Sequence, residues 1–290
     1  MSEQRHTVGS ILAISEDWLQ ARGVDQPKVD AGFLLAHALG LKRLDLYLQT
    51  DRPLRESELA AFRPLLQRRG RREPVNRILG SKAFWNHDFE VTPDVLCPRA
   101  DSEILIETAL GLALPDTARV LDLCTGSGCL AISLAAERAA WRITATDCSE
   151  PALGVAARNL KRCKVEAQVT LLCGDLWAGA EAPFDLIVSN PPYVAENERA
   201  DLDPEVRDHD PDVALFSGAD GLELIRRLVG QASHYLTTNG WLLVEHGSNQ
   251  GDAVRQLFAE AGLHAIETRR DLGARERATL GCLSRVDEVA

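Results

Sequence analysis

Hydrophobic residues in the first seventy positions recur at intervals of three and four, the spacing that places them on one face of a helix. One such face comprises Val8, Ile11, Leu12, Ser15, Trp18 and Leu19, and a second comprises Phe33, Leu34, Ala38 and Leu41. A third hydrophobic set, between positions 59 and 66, follows Ser57, which predicts a capped helix starting there with a kink at Pro64. The pattern predicts a small helical domain over residues 1–73.

Shorter hydrophobic runs follow between residues 74 and 98, and the turn-forming residues Gly80, Asn86 and Pro93 separate them. Runs of this length with such breaks are typical of short strands joined by turns. We expect residues 74–98 to form a β-hairpin connector and residues 101–110 to form a helix.

Beyond residue 119, short hydrophobic runs alternate with longer amphipathic ones. The predicted strands are 120–123, 142–146, 169–172, 185–189, 241–245, 264–268 and 278–283, and the predicted helices are 130–139, 151–160, 221–235 and 250–261. The alternation predicts an α/β doubly wound fold, with an open, mainly parallel sheet between helices, in a domain over residues 99–290. Ligands of such sheets bind at the carboxyl ends of the strands, near the point where the strand order reverses.

The chain of 290 residues carries 32 basic and 43 acidic side chains, a formal net charge of −11. This balance disfavours proteins that hold nucleic acid mainly through its phosphates, because such binding depends on Lys and Arg. Seven basic residues nevertheless fall within twenty positions that contain one acidic residue, Glu73: Arg63, Arg68, Arg69, Arg71, Arg72, Arg77 and Lys82. They form either a solvated helix end and linker or a docking patch for an acidic or RNA-bound partner.

Other classes of protein are excluded on simpler grounds. No apolar run approaches the roughly 18 residues of a membrane span. The N-terminus lacks the basic and apolar regions of a secretory signal, so we expect a cytoplasmic protein. The 7 cysteines form no C-x-x-C pair and no Cys/His cluster at zinc-ligand spacing, so we expect reduced thiols and no bound metal.

A glycine-containing turn follows the first predicted strand of the sheet. Gly126 and Gly128 would let the backbone approach a ligand closely or adopt positive φ. Together with Ala131 the turn satisfies G-x-G-x-x-[G/A], and Asp147 follows about 20 residues later, where an acid can bind ribose hydroxyls. These features alone fit NAD as well as S-adenosylmethionine.

Three further features favour S-adenosylmethionine. Asp122 lies inside the apolar strand, where a carboxylate is costly unless it accepts hydrogen bonds from loop amides or faces a cationic ligand. Asp175 ends another strand, in a position to meet an adenine amino group, and a further strand ends in Ser-Asn-Pro-Pro-Tyr at 189–193. Taken singly, Asp147 could be a helix N-cap and Asp175 a turn residue, but acids at successive strand ends favour a site.

The sequence Asn-Pro-Pro-Tyr at 190–193 suits a planar amino group. Two adjacent prolines end the strand and leave carbonyl oxygens that neither helix nor sheet uses. Asn190 adds an amide oxygen beside the Pro191 carbonyl, and Tyr193 offers an aromatic face. Such a site can hold both N–H bonds of a planar NH2 group, so that positioning for in-line attack on a sulfonium methyl carbon supplies much of the acceleration. Neither a metal nor a covalent intermediate is needed, and the sequence does not identify the proton acceptor.

These residues resemble the class I S-adenosylmethionine-dependent methyltransferases that modify planar nitrogens, and more closely the peptide chain release factor glutamine methyltransferases. The resemblance extends over nearly the whole chain. It is carried by residues 72–74 with 78–80, 84–85, 98–103, the glycine loop, 190–193, Glu245-His246-Gly247 and 276–281. It implies a seven-stranded sheet, an N-terminal domain that docks release factors, and methylation of the glutamine in the Gly-Gly-Gln motif of release factors 1 and 2. S-adenosylhomocysteine is the implied product.

The resemblance also implies roles for individual residues. Cofactor contacts would come from Cys124, Thr125, Gly126, Ser127, Gly128, Asp147, Asp175 and Leu176, to which Asp122 and Asn190 are added. The catalytic and substrate-binding set would be Asn190, Pro191, Pro192 and Tyr193, bordered by Arg99 and Glu103. The chain departs from the family at Cys124 and Asn86, where Gly is usual, and at Cys97, where an aliphatic residue is usual.

Three alternatives remain. A sister enzyme that methylates a glutamine of ribosomal protein L3 shares Asn-Pro-Pro-Tyr and a stretch similar to 217–222, whereas residues 98–103 and 245–247 favour the release factor enzyme. An RNA or DNA amino-methyltransferase would use the same four residues, but the basic residues do not line a broad face, so we expect no direct sequence-specific nucleic-acid binding. A dinucleotide-dependent oxidoreductase would leave residues 190–193 without a role.

Overall fold

A computed structural model describes residues 6–284, so the outer ends of the predicted domains, residues 1–5 and 285–290, lie outside the described residues. The chain divides into two compact units. Among the described residues, one unit comprises 6–81 together with 203–209, and the other comprises 82–202 together with 210–284. The segment 203–209 thus belongs to the helical unit, although the sequence assigned it to the sheet domain.

The first unit is helical. Its helices are α1 (Val8–Gln20), α2 (Pro27–Leu39), α3 (Arg43–Leu48), α4 (Glu56–Gly70) and α5 (Val75–Leu79). Buried side chains from several of them, including Val8, Leu34, Leu46, Phe62 and Ile78, form one hydrophobic core. The predicted helical faces thus meet in the interior of this unit.

The helix boundaries differ from the sequence expectation in three places. The third predicted helix, α4, has Arg55 and not Ser57 as its N-cap, because the Glu58 carboxylate accepts the Arg55 backbone N–H at 2.8 Å. It continues through Pro64 to Gly70. Helices α3 and α5 were not predicted, since 6 and 5 residues are too few to establish a helical period.

The basic stretch is largely ion-paired inside the helical unit. The Arg69 side chain is 4% exposed and lies 2.6 Å from Asp30 and 2.5 Å from Glu205. Arg72 contacts Glu205 at 3.2 Å, and Arg68 pairs with Glu73. Acidic residues outside the stretch, Asp30 and Glu205, thus neutralise part of its charge. This pairing disfavours the interpretation of the stretch as a docking patch, because most of its cations already have partners.

The connector is shorter than expected. Residues 75–79 form α5, so the hairpin is confined to β1 (Ser81–Phe84) and β2 (His87–Glu90). Trp85 begins the turn with φ +50. Its backbone N–H donates to Glu103 at 2.8 Å and its indole N–H to Glu137 at 2.7 Å.

The second unit is built on a seven-stranded sheet, which confirms the predicted fold class. Its strands are β3 (Arg119–Leu123), β4 (Arg142–Asp147), β5 (Val169–Cys173), β6 (Phe184–Ser189), β7 (Leu236–Glu245), β8 (His264–Arg270) and β9 (Glu276–Leu283). The order is β5-β4-β3-β6-β7-β9-β8, parallel except that β9 runs antiparallel to both of its neighbours. Since the chain moves outward from β3 to β5 and then returns beside β3 as β6, the order reverses between β3 and β6.

Helices cover both faces of this sheet. They are α6 (Glu103–Gly111), α7 (Cys129–Glu137), α8 (Glu150–Cys163), α10 (Glu223–Tyr235) and α11 (Gly251–Glu260). The short α9 (Pro204–Arg207), which precedes α10 in the chain, belongs to the helical unit. Along β3, Val120 packs into one core and Leu121 into the other, because successive side chains point to opposite faces. Among residues 6–284, no helix combines the length and apolarity needed to cross a membrane.

Candidate active site

The glycine loop joins the end of β3 to the start of α7. Cys124, Gly126 and Gly128 all have positive φ, of +61, +54 and +81. A Cβ at position 128 would lie 3.1 Å from Ile132 and 3.3 Å from Ala156, so both conformation and space favour glycine there. At 126 a Cβ would meet no atom within 4 Å, which leaves the backbone open for a ligand to approach. Cys124 holds a conformation that glycine adopts more readily than cysteine.

Asp122 stabilises the conformation of this loop through hydrogen bonds. It is 0% exposed, and its Oδ2 accepts hydrogen bonds from the Thr125 hydroxyl at 2.6 Å and the Ala131 backbone N–H at 3.2 Å. Burial raises the pKa of Asp122 to about 7, against the opposing effect of these two donors. The sequence predicted Asp122 as a cofactor contact, but its side chain does not line the cavity described below. Its hydrogen bonds instead connect the loop to the first turn of α7.

Asp147 ends β4 and supports the loop from the side. Its carboxylate accepts the Gly126 backbone N–H at 2.8 Å and the Ser149 backbone N–H at 2.9 Å. Ser149, not Asp147, is the N-cap of α8, because its side chain accepts from the Ala152 backbone N–H. Asp147 also lines the cavity.

Asp175 and Leu176 follow β5. The Asp175 carboxylate is 64% exposed and lies 2.5 Å from the Arg227 guanidinium. Leu176 is buried with φ +50, and its carbonyl oxygen accepts the Thr146 hydroxyl at 3.0 Å. Both residues line the cavity, with Asp175 at a solvent-accessible edge.

The Asn-Pro-Pro-Tyr turn begins directly after β6. The Ser189 hydroxyl donates to the Leu123 carbonyl oxygen at 2.7 Å, which joins the ends of β6 and β3. Asn190 Nδ2 donates to Ser102 Oγ at 3.0 Å, and Tyr193 Oη donates to Glu245 Oε1 at 3.2 Å. Burial raises the pKa of Tyr193, so its hydroxyl stays protonated.

A cavity of about 350 Å³ lies at the reversal point of the sheet. It brings together most of the predicted site residues: Arg99, Cys124, Thr125, Gly126, Ser127, Asp147, Asp175, Leu176, Asn190 and Pro192. Its walls do not include Asp122, Gly128, Pro191, Tyr193 or Glu103. Glu103 instead accepts the Trp85 backbone N–H, and Tyr193 points its hydroxyl toward Glu245.

Several cavity residues were not predicted from sequence. One group comes from the segment between β6 and α10 and from the start of α10: Val213, Ala214, Phe216, Ser217, Gly218, Glu223, Leu224 and Arg227. Arg99 also lines the cavity and lies 2.6 Å from the buried carboxylate of Asp210 in the same segment. The similarity at 217–222 was the available signal, but it carried no assigned role.

The cavity combines carboxylates with apolar surface, a mixture that suits a nucleoside-bearing cation. Asp147 and Asp175 supply carboxylates, and Leu130 and Leu176 supply apolar surface. Among residues 6–284, no cluster of three or more His, Cys, Asp or Glu side chains has the geometry of a metal site. A cavity of this volume falls in the usual range for sites of small organic ligands.

Solved structures and a family match agree with this architecture. The family "Methyltransferase small domain" matches residues 100–204. A methyltransferase from Pyrococcus furiosus superposes with a TM-score of 0.53 at 20% identity, covering 76% of this chain and 99% of that one. The ribosomal protein L11 methylase of Lactobacillus delbrueckii subsp. bulgaricus has a TM-score of 0.50 at 19% identity, covering 67% and 84%. The sheet unit therefore has the fold of the class I methyltransferases.

A second family match and sequence relatives define the family of this chain more narrowly. The family "PrmC N-terminal domain" matches residues 11–80. The release factor glutamine methyltransferase of Geobacter sulfurreducens is 41% identical over 95% of this chain and 96% of its own length. That of Pseudomonas aeruginosa is 42% identical over 88% and 92%. The chain belongs to the release factor glutamine methyltransferase family, which confirms the sequence-based assignment.

Proposed function

We propose that this protein transfers the methyl group of S-adenosylmethionine to the side-chain amide nitrogen of the glutamine in the Gly-Gly-Gln motif of release factors 1 and 2. The other product is S-adenosylhomocysteine, and no metal takes part. The observation that carries the proposal is the position of Asn190 at the cavity wall, with its Nδ2 already bonded to Ser102. The remaining oxygen, Oδ1, is then available to accept from a substrate amide.

Residues around the glycine loop would hold the cofactor. In this proposal Asp147 binds the ribose hydroxyls, Asp175 and Leu176 contact the adenine, and residues 124–128 contact the methionine part. When bound, S-adenosylmethionine supplies an electrophilic methyl group on a sulfonium centre. The open backbone at Gly126 and the apolar Leu130 in the cavity wall support this assignment.

The Asn-Pro-Pro-Tyr turn would hold the substrate. Asn190 Oδ1 and the Pro191 carbonyl oxygen accept the two N–H bonds of the glutamine amide, while Pro192 and the ring of Tyr193 pack on its plane. Pulling both protons toward these acceptors leaves the nitrogen lone pair as the free direction, and a fixed approach replaces the entropy cost of a bimolecular encounter. Arg99 lines the same cavity and would border this region.

The helical domain would recognise the protein substrate. Of the described residues with large exposed hydrophobic side chains, five lie between positions 14 and 48: Ile14, Phe33, Leu44, Tyr47 and Leu48. This concentration of exposed hydrophobic side chains in the helical unit supports a protein interface there. A release factor substrate places the enzyme in the cytoplasm, where translation occurs, and the net charge of −11 supports a protein over a nucleic acid as substrate.

The test supplies methyl-labelled S-adenosylmethionine and, in separate reactions, release factor 1, release factor 2, ribosomal protein L3 and RNA. We expect label in both release factors, located by mass spectrometry on the Gly-Gly-Gln glutamine. Asn190→Ala should abolish labelling while cofactor affinity changes by less than about fivefold, since Asn190 acts mainly on the acceptor. Label in L3 or RNA instead, or near-normal labelling by Asn190→Ala, would refute the proposal.

A further inference from the structure

Glu245 is a buried carboxylate for which the proposed reaction has so far no use. It ends β7 and is 1% exposed. The preceding residue, Val244, pairs with Ser189 across the parallel strands β6 and β7, so Glu245 lies level with the first residue of the Asn-Pro-Pro-Tyr turn. Burying a carboxylate is costly, and burial raises its pKa to about 7.

Its partners all belong to the region of the turn. Tyr193 Oη donates to Glu245 Oε1 at 3.2 Å. The Ser102 hydroxyl lies near the Glu245 carboxylate and, after burial, has the largest effect on its pKa, in the lowering direction. The Arg277 guanidinium also lowers this pKa, whereas the Asp101 carboxylate raises it. The same Ser102 Oγ accepts from Asn190 Nδ2 at 3.0 Å.

The direction of these hydrogen bonds follows from the charge of Glu245. An ionised carboxylate can only accept, so the Ser102 proton points to Glu245 and the Ser102 lone pairs remain for Asn190. Asn190 must then present its Nδ2 to Ser102 and its Oδ1 to the cavity. With a donor at position 245, the Ser102 proton would be free to turn to Asn190 Oδ1, which would put the amide nitrogen toward the substrate.

We propose that Glu245 is a positioning residue, which acts through Ser102 and Tyr193 to keep the carbonyl oxygen of Asn190 facing the substrate amide. The proposal rests on the function proposed above, since it assumes that Asn190 accepts from the substrate. It gives the Glu245-His246-Gly247 sequence, otherwise unassigned, a role at the site.

The variants Glu245→Gln, Ser102→Ala and their double mutant test this role with a release factor as substrate. Glutamine keeps the shape of the side chain but can donate as well as accept. We expect Glu245→Gln to lower kcat by at least about tenfold, with the dissociation constant for S-adenosylmethionine, measured by calorimetry, within about twofold of wild type. Because both changes act on one bond, the double mutant should be no slower than the slower single mutant.

His246→Gln is the matched control. His246 is the next residue, is also fully buried, and bonds through its ring to Thr279 and the Gly247 carbonyl oxygen rather than to the turn. If the loss in Glu245→Gln reflected general damage at the end of β7, His246→Gln would lower kcat equally; we expect kcat within about twofold of wild type. Should Glu245→Gln fail to fold, Ser102→Ala still tests the same bond and should lower kcat alone.

The pH profile separates positioning from a merely structural role. Protonated Glu245 can donate, so wild-type kcat should rise as pH increases through about 7, and Glu245→Gln should lack this rise. The titratable or charged groups that interact with Glu245 are Tyr193, Arg277, Asp101 and Cys129, and the pKa values of Tyr193 and Cys129 are raised well above this range. If the wild-type enzyme labels the release factor and Glu245→Gln has the same kcat, the inference about Glu245 is overturned and the proposed function stands. If the wild-type enzyme does not label the release factor, the proposed function is overturned.

Discussion

Replacing Asp122 by Asn should change how the stability of the protein depends on pH. The pKa of Asp122 is about 7 in the folded chain, against 3.8 for an unperturbed aspartate. The folded state therefore binds this proton more tightly than the unfolded state, and the free energy of unfolding falls as pH rises from about 4 to 7. A difference of 3.2 between the two values corresponds to about 4 kcal/mol lost above pH 7.

The assay is denaturant unfolding of wild type and Asp122→Asn at pH 4.5 and pH 8, without cofactor. Asparagine has nearly the same shape but no charge, so any cost of its amide is the same at both pH values and cancels in the comparison. We expect the variant to gain about 3 kcal/mol on wild type between the two pH values, since part of the effect is already present at pH 4.5. If the difference in free energy of unfolding between Asp122→Asn and wild type were the same at both pH values, ionisation of Asp122 would not destabilise the folded protein. That result would refute the reasoning.

Three further changes test the loop, the helical unit and the docking surface. Gly128→Ala should destabilise the protein by about 1–3 kcal/mol in denaturant unfolding and weaken cofactor binding, because φ is +81 and the new methyl group would crowd Ile132. Arg69→Met should cost about 3 kcal/mol in the same assay, because it leaves the carboxylate of Asp30 without its buried partner. Leu48→Ser, at a side chain 76% exposed, should raise KM for release factor at least about threefold, with kcat and cofactor affinity unchanged.

Each of these changes has a matched control. Gly230→Ala, at an open position within α10, should stabilise the protein by up to about 1 kcal/mol. Arg63→Met removes an exposed ion pair with Glu56 and should change stability by less than about 0.5 kcal/mol. Leu272→Ser alters an exposed leucine of the sheet unit and should leave KM for release factor unchanged. If a variant and its control had equal effects, the explanation given for that site would be refuted.

The sheet could be predicted from sequence because its central strands are buried on both faces. Runs such as 120–123 and 185–189 are mostly apolar, and the longer helices between them show a clear period. Elements that depend on distant contacts could not be predicted. The turns between β6 and α10 include Asp210, which bonds to Arg99 111 residues earlier in the chain, and no local pattern indicates such a pairing.

The same distinction applies to the candidate site. Residues at strand ends, such as Asp147 and Asn190, could be placed because the topology of a parallel sheet brings strand ends together. The environment of a carboxylate cannot be deduced in this way: Asp122 lies beneath the loop and not at the cavity wall. Glu245 has its partners at positions 102 and 193, which only the folded chain brings near it.

The segment 203–209 affects how the helical unit can be studied. It belongs to that unit although both flanks belong to the sheet unit, and Glu205 within it pairs with Arg69. A protein fragment that ends or begins near residue 73 would separate this segment from its partners in the helical unit. Glu205 would then lose its ion pair with Arg69, a defect unrelated to recognition of the release factor. Protein fragments that contain only one unit are therefore unsuitable for measuring release factor binding, whereas single surface substitutions in the intact chain avoid this artefact.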